Sequence, residues 1–267
     1  MADQSETNPS ALNRRRFLKV AGVAGASTAV GGIIATETLV ANADAEAMPA
    51  SPAPQHQWAY VIDMRRCDGC AKCTKACQDE HFLAPNQTWI RVYQESDKDG
   101  RNYFMPVLCQ QCDNPPCTKV CPVGATYKNA EGVVLVDQSI CIGCRTCMAA
   151  CPYAARYFNW TQPPPIPPNV HPHTMPEFPV PQKMGTVGKC ILCVHNTDVG
   201  KLPACIDACP MQALYIGDMT TDSATNGHET VKLSSFLRDN DAVRLKEELG
   251  TQPRTWYILG HGQALNF

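Results

Sequence analysis

Charge is scarce in this chain. Asp, Glu, Lys and Arg make up 18% of 267 residues, and the formal net charge is −2. Such balance suggests neither nucleic acid nor an anionic membrane surface as a partner. Beyond the N-terminal region no apolar run approaches the roughly 20 residues that a spanning helix needs. No C-x2-C pair is followed by histidine, since Val194 separates Cys193 from His195, so attachment of a c-type haem is excluded. Gly260-His261-Gly262 is too short to be a nucleotide fingerprint. The sequence offers no defensible nucleophile, acid–base pair or substrate pocket, and nothing predicts a small-molecule substrate of its own.

What the chain has is cysteine, 16 of them. Cys141, Cys144, Cys147 and Cys151, followed by Pro152, spell C-x2-C-x2-C-x3-C-P. This is the bacterial ferredoxin run for a [4Fe–4S] cluster. Three thiolates two residues apart wrap one cluster; the fourth ligates the other cluster of a two-cluster unit. One such run therefore demands a second, and the chain supplies three more. Cys109, Cys112, Cys117 and Cys121 have a longer middle gap holding Asn114-Pro115-Pro116. Cys190, Cys193, Cys205 and Cys209 have a long insertion between the second and third cysteines. Cys67, Cys70, Cys73 and Cys77 are followed by Gln78 in place of proline. A loop between ligands lengthens without harm if its ends return to the same sulfur positions, and the C-x3-C step is constant throughout.

Two rivals fit less well. Disulfide frameworks have no reason to repeat this spacing with a trailing proline. Zinc sites more often use two C-x2-C knuckles about 15–20 residues apart. Four complete quartets thus predict four [4Fe–4S] clusters. His171 and His173 read as a solvent-exposed pair, and His195 as a hydrogen-bonding neighbour of the fourth quartet. Trp58, Trp89, Tyr103, Tyr153, Tyr157 and Trp160 read as core. Gly69 and Gly143 are expected to let backbone amides approach cluster sulfurs.

Along the chain, Arg14-Arg15-Arg16-Phe17-Leu18-Lys19, a Gly/Ala-rich apolar stretch and small residues near Ala43 have the layout of an export signal. The arginine pair points to the twin-arginine route, which carries folded proteins. Residues 1–43 are read as this signal, 44–57 as a proline-containing linker, and 58–267 as the cluster-bearing body. Strands are expected at 58–63, 89–93, 103–108, 133–137, 156–160 and 255–259, the last clasping the outside of the core. Val61-Ile62-Asp63 and Val134-Leu135-Val136-Asp137 each feed a cysteine run, an internal duplication. Residues 163–181, rich in proline, read as an extended surface loop, and 241–249 as a helix stopped by Gly250.

With four such quartets behind a twin-arginine signal, the chain resembles the iron–sulfur electron-transfer (beta) subunits of the dimethyl sulfoxide reductase family. Polysulfide, tetrathionate and thiosulfate reductase beta subunits are of this type, as are proteins of formate-dependent nitrite reduction and of sulfite reductase-associated membrane complexes. The likeness spans about 58–216 and is carried by Cys112-Asp113-Asn114-Pro115-Pro116-Cys117, Cys121-Pro122-Val123-Gly124-Ala125 and Cys147-Met148-Ala149-Ala150-Cys151-Pro152-Tyr153. It implies an α+β fold of duplicated ferredoxin-like modules, the inner one (about 103–160) inserted into the outer. It also implies four ligand sets: Cys67, Cys70, Cys73 with Cys209; Cys190, Cys193, Cys205 with Cys77; Cys109, Cys112, Cys117 with Cys151; Cys141, Cys144, Cys147 with Cys121. The implied role is a non-catalytic periplasmic relay between an integral quinone-interacting subunit and a catalytic subunit, molybdopterin-bearing or of another redox type. A free-standing polyferredoxin carrier, or a complex without a molybdenum partner, stays open.

Overall fold

The computed structural model describes residues 55–166 and 173–260. The expected export signal, the linker up to residue 54, His171 and His261-Gly262 lie outside them.

β1 (Trp58–Asp63) is followed by a helix, Lys72–Glu80. β2 (Arg91–Ser96) and β3 (Asn102–Val107) form an antiparallel hairpin. β4 (Thr126–Lys128) pairs with β5 (Val134–Val136). β6 (Tyr157–Phe158) precedes a hairpin of β7 (His173–Met175) and β8 (Phe178–Val180), then pairs with β9 (Val187–Gly188). The C-terminal part holds β10 (Leu214–Asp218), β11 (Ser223–Thr225), β12 (Thr230–Lys232), a helix Leu233–Asp239, β13 (Val243–Arg244) and β14 (Thr255–Ile258). The fold is α+β.

β1 organises the largest sheet, whose order is β12-β11-β10-β1-β14-β13. It runs antiparallel to β10 and parallel to β14, and from Ala59 to Asp63 every residue is buried. Because successive side chains point to opposite faces, β1 serves two cores. Tyr60 and Ile62 enter the main core together with Cys73, Cys77 and Cys205. Ala59 and Val61 pack with Tyr215, Leu233 and Ile258, with Phe236 and Leu237 of the last helix alongside. The thiols are therefore borne on one face of a strand whose other face is separately anchored.

The duplication seen in the sequence has a local geometry. Asp63 Oδ1 accepts from the Arg65 amide at 3.1 Å, and Asp137 Oδ1 from the Ser139 amide at 2.7 Å. Asp218, at the end of β10, does the same with Thr220 at 2.9 Å. An aspartate that bonds the backbone two residues on turns the chain out of a strand.

Several expectations are corrected. Residues 241–249 form no α-helix: they hold β13 and a 3₁₀ turn, Glu247–Leu249. Asp241 and Lys246 adopt φ of 47° and 48°, which breaks helical continuity, although Gly250 does terminate the 3₁₀ turn at φ 66°. β14 is no outer clasp, because Tyr257 and Ile258 are fully buried beside β1. Within the proline-rich stretch β7 and β8 pair, and Phe178 and Val180 reach the main core. Trp160, expected in the core, is 65% exposed and lies under the Arg145 guanidinium. Among the described residues no helix is long and apolar enough to cross a membrane.

Candidate functional site

Each cysteine run curls by the same backbone device. The residue before the second cysteine has positive φ in all four: Gly69, Gln111, Gly143 and Leu192. Left-handed residues turn the chain back so that neighbouring thiols face one space. The third cysteine then sits on a helix: Cys73 on Lys72–Glu80, Cys117 on Pro116–Lys119, Cys147 on Thr146–Ala149, Cys205 on Ala204–Asp207. Where proline follows the fourth cysteine, the helix ends and a second left-handed residue appears three positions on, at Gly124, Ala154 and Gln212. The first run has Gln78 there, and its helix continues to Glu80.

The thiols assemble across runs. Cys67, Cys70 and Cys73 of the first run line one pocket together with Cys209 of the fourth. Cys109, Cys112 and Cys117 line a second with Cys151 of the third run. Cys77 faces Cys190, Cys205 and Cys193. Cys121 lies near Cys144, and Cys147 near Cys141. The helices bearing Cys73 and Cys205 pack together, as do those bearing Cys117 and Cys147. All sixteen are free thiols.

Contacts link these groups in series. The helix bearing Cys73 and Cys77 packs on the one bearing Cys205, Gln111 Nε2 of the second run donates to the Cys190 carbonyl at 3.0 Å, and the helices bearing Cys117 and Cys147 pack together. The order is the Cys67 group, the Cys190 group, the Cys109 group and the Cys141 group, called sites one to four below.

Electrostatics test whether the groups suit an iron–sulfur cluster. Burial, then the neighbouring thiols, pushes Cys73, Cys112 and Cys205 up to about 12, and Cys190 to about 11. Thiolates crowded in this way repel unless a cationic centre lies between them, and a bound metal deprotonates its thiols outright. A single ion would draw sulfurs to about 2.3 Å of one point. Among the described residues no such convergence of three or more ligands exists. The Cys67 and Cys109 groups instead each line a pocket, as a cubane requires.

Further groups point at the sulfurs. The Leu192 amide donates to Cys190 Sγ at 3.5 Å and the Ala213 amide to Cys209 Sγ at 3.4 Å. Burial raises the Cys121 thiol, but the amides of Thr126, Val123 and Ala125 outweigh it and leave it lowered. The buried Tyr60 hydroxyl lies 3.2 Å from Cys205 Sγ, and His81 Nε2 lies 3.3 Å from Cys193 Sγ. Burial holds His81 down to about 3, so its ring is neutral. His195 bonds Glu80 Oε1 at 2.8 Å and is no thiol partner. Tyr60, His81, Arg156 and Lys189 escaped the sequence reading, because contacts between distant runs leave no local pattern.

Packing bears on both glycines, since a Cβ at Gly69 would stand 2.4 Å from Phe104 Cδ1. The Gly69 amide does face Cys67 and opposes the effect of its burial. Gly143, at φ 70°, is demanded by packing: a Cβ there would stand 2.2 Å from the Gly185 carbonyl oxygen. Gly143→Ala should cost about 1–3 kcal/mol from the backbone alone and loosen the Cys141 loop. Faster bleaching of visible absorbance under mild denaturant checks it.

Two family models described as 4Fe-4S dicluster domain match the chain, one over residues 66–125, the other over 101–164 and 172–219. The chain is 38% identical to a selenate reductase subunit of Mesobacillus selenatarsenatis over 78% of its length and 73% of that protein's. It is 35% identical to a tetrathionate reductase subunit of Salmonella typhimurium, over 92% and 88%. With the Hdr-like menaquinol oxidoreductase iron-sulfur subunit 1 of Archaeoglobus fulgidus it shares 30% identity, over 92% and 97%. Thiols gathered across runs, dicluster domains and relatives that are themselves reductase subunits converge: the chain belongs to the iron–sulfur electron-transfer (beta) subunits of the dimethyl sulfoxide reductase family.

Proposed function

We propose that the chain is a periplasmic electron-transfer subunit, exported by the twin-arginine route. It would relay electrons through four [4Fe–4S] clusters between a membrane quinone-interacting subunit and a catalytic, molybdopterin-bearing subunit. The observation that carries this is the packing that links four thiol groups one to the next. Each cluster supplies a one-electron centre whose potential its surroundings set. The chain's own residues hold the centres in line: Cys67, Cys70, Cys73 and Cys209; Cys190, Cys193, Cys205 and Cys77; Cys109, Cys112, Cys117 and Cys151; Cys141, Cys144, Cys147 and Cys121. One turn of the helix Lys72–Glu80 separates Cys73 from Cys77, which fixes the spacing of sites one and two. Packing of the first run on the fourth, and of the second on the third, supports a module nested within another.

A relay needs partners. Solubilised native membranes, fractionated by size, should elute this chain with larger subunits, and a quinol analogue should reduce its clusters. Elution as a lone species of about 30 kDa would instead favour a diffusing carrier. A second reading is a quinol-linked complex without a molybdenum partner, and the Archaeoglobus relative, named as a menaquinol oxidoreductase subunit, supports its quinol link. Absence of molybdenum from an intact purified complex would decide for it.

A further inference from the structure

Two basic side chains are buried beside the thiols without a carboxylate. Arg156 is 5% exposed and Lys189 1%. Arg156 Nη1 donates to Thr126 Oγ1 at 3.2 Å, while Nη2 has no hydrogen-bond partner. The guanidinium lines the cavity of site three, against Cys117 and, across the junction, Cys147 of site four. Lys189 Nζ donates to the Cys190 carbonyl at 2.6 Å. Cys190 belongs to site two, and the carbonyl that Lys189 bonds also accepts from Gln111 Nε2 at 3.0 Å, which brings in the loop between Cys109 and Cys112 of site three. The buried Arg254, by contrast, is paired with Asp113.

Burying a cation is costly unless a negative group answers it. Arg156 stays charged in any protein environment, and the negative groups on offer beside it are thiolates. A reduced cluster carries one more negative charge than an oxidised one, so a fixed cation beside it favours reduction, most strongly where water is excluded. We propose that Arg156 and Lys189 are internal counter-ions of the relay, each raising the reduction potential of the two sites it borders. Arg156 acts on sites three and four, and Lys189 on sites two and three. Site one borders neither. The proposal rests on the four-site reading above.

The two variants therefore give overlapping signatures. In a redox titration followed by EPR on the full chain, R156Q should lower two of four components, each by about tenfold in its reduction equilibrium, 59 mV for one electron. K189M should lower two as well. One component should be common to both variants and one should move in neither. R156K should keep all four within about threefold of the parent, because it keeps the charge. Iron per chain, measured on the same samples, separates the ways of failing. Full iron with four unmoved potentials in R156Q and K189M overturns the proposal and leaves the four-site reading intact. R156K shifting as far as R156Q also overturns it, since packing would then be the cause. Parent protein with well under sixteen irons overturns the four-site reading, and the proposal with it. If R156Q fails to retain iron, K189M must still lower two components while R156K keeps four; any other result counts against the proposal.

Discussion

Replacing Cys144 with serine should leave a folded chain that holds about twelve irons where the parent holds about sixteen, four to a cluster. Cys144 is exposed and belongs to neither large core, and Thr146 Oγ1 donates to its sulfur at 3.4 Å. Its loss removes a ligand from site four without opening a cavity. Because site four ends the series, electron transfer through the assembled complex should fall to background while sites one to three still titrate. Iron and sulfide analysis beside quinol-driven turnover measures both. The same substitution at Cys205 should do more damage. That thiol is buried in the main core against Tyr60, so the fold is expected to weaken together with site two.

Arg254→Leu should be the most destabilising change away from the thiols. Its guanidinium sits at a three-way junction of distant segments. Nε donates to Asp113 Oδ1 at 2.6 Å, and Nη2 to Gln57 Oε1 at 2.7 Å. Nη1 reaches the Trp58 and Glu131 carbonyls at 3.5 and 3.4 Å. It thereby joins the start of β1, the turn before β5 and the second cysteine run. Leucine removes one donor from each of these acceptors, although the Glu131 carbonyl keeps the Trp58 amide at 3.2 Å. Asp113 retains some exposure and a second partner in Lys128, which moderates the penalty to about 3 kcal/mol. For a chain of this size that lowers an apparent Tm by roughly 6–12 °C. Thermal bleaching of the visible absorbance provides the readout, and an unchanged midpoint would show the junction to be unimportant. Site three should suffer first, since Asp113 follows Cys112 directly.

Chemistry was legible in the sequence to the extent that it is local. A C-x2-C loop needs only its own left-handed residue before the second cysteine, so each run announces itself. β1 was readable for the same reason, as Ala59-Tyr60-Val61-Ile62 is an apolar run with no competing period. The C-terminal region was not. Asp241–Leu249 has helical composition, yet tertiary contact decides: β13 pairs with β14, and positive φ at Asp241 and Lys246 allows that pairing. β14 was misplaced because a strand's period says which face is apolar but not which neighbour it joins. Arg156 and Lys189 were invisible as functional residues, since a basic residue in sequence reads as surface unless its burial is known. Trp160 erred in the opposite sense, a large aromatic left outside.

The central claim is that sixteen thiols, gathered four by four across the runs, hold iron and inorganic sulfide. It is tested most directly by analysing both on protein purified without oxygen. The account predicts about sixteen irons and about sixteen sulfides per chain, with a brown colour that dithionite bleaches. A colourless chain with far less iron, its cysteines joined as disulfides, would contradict it.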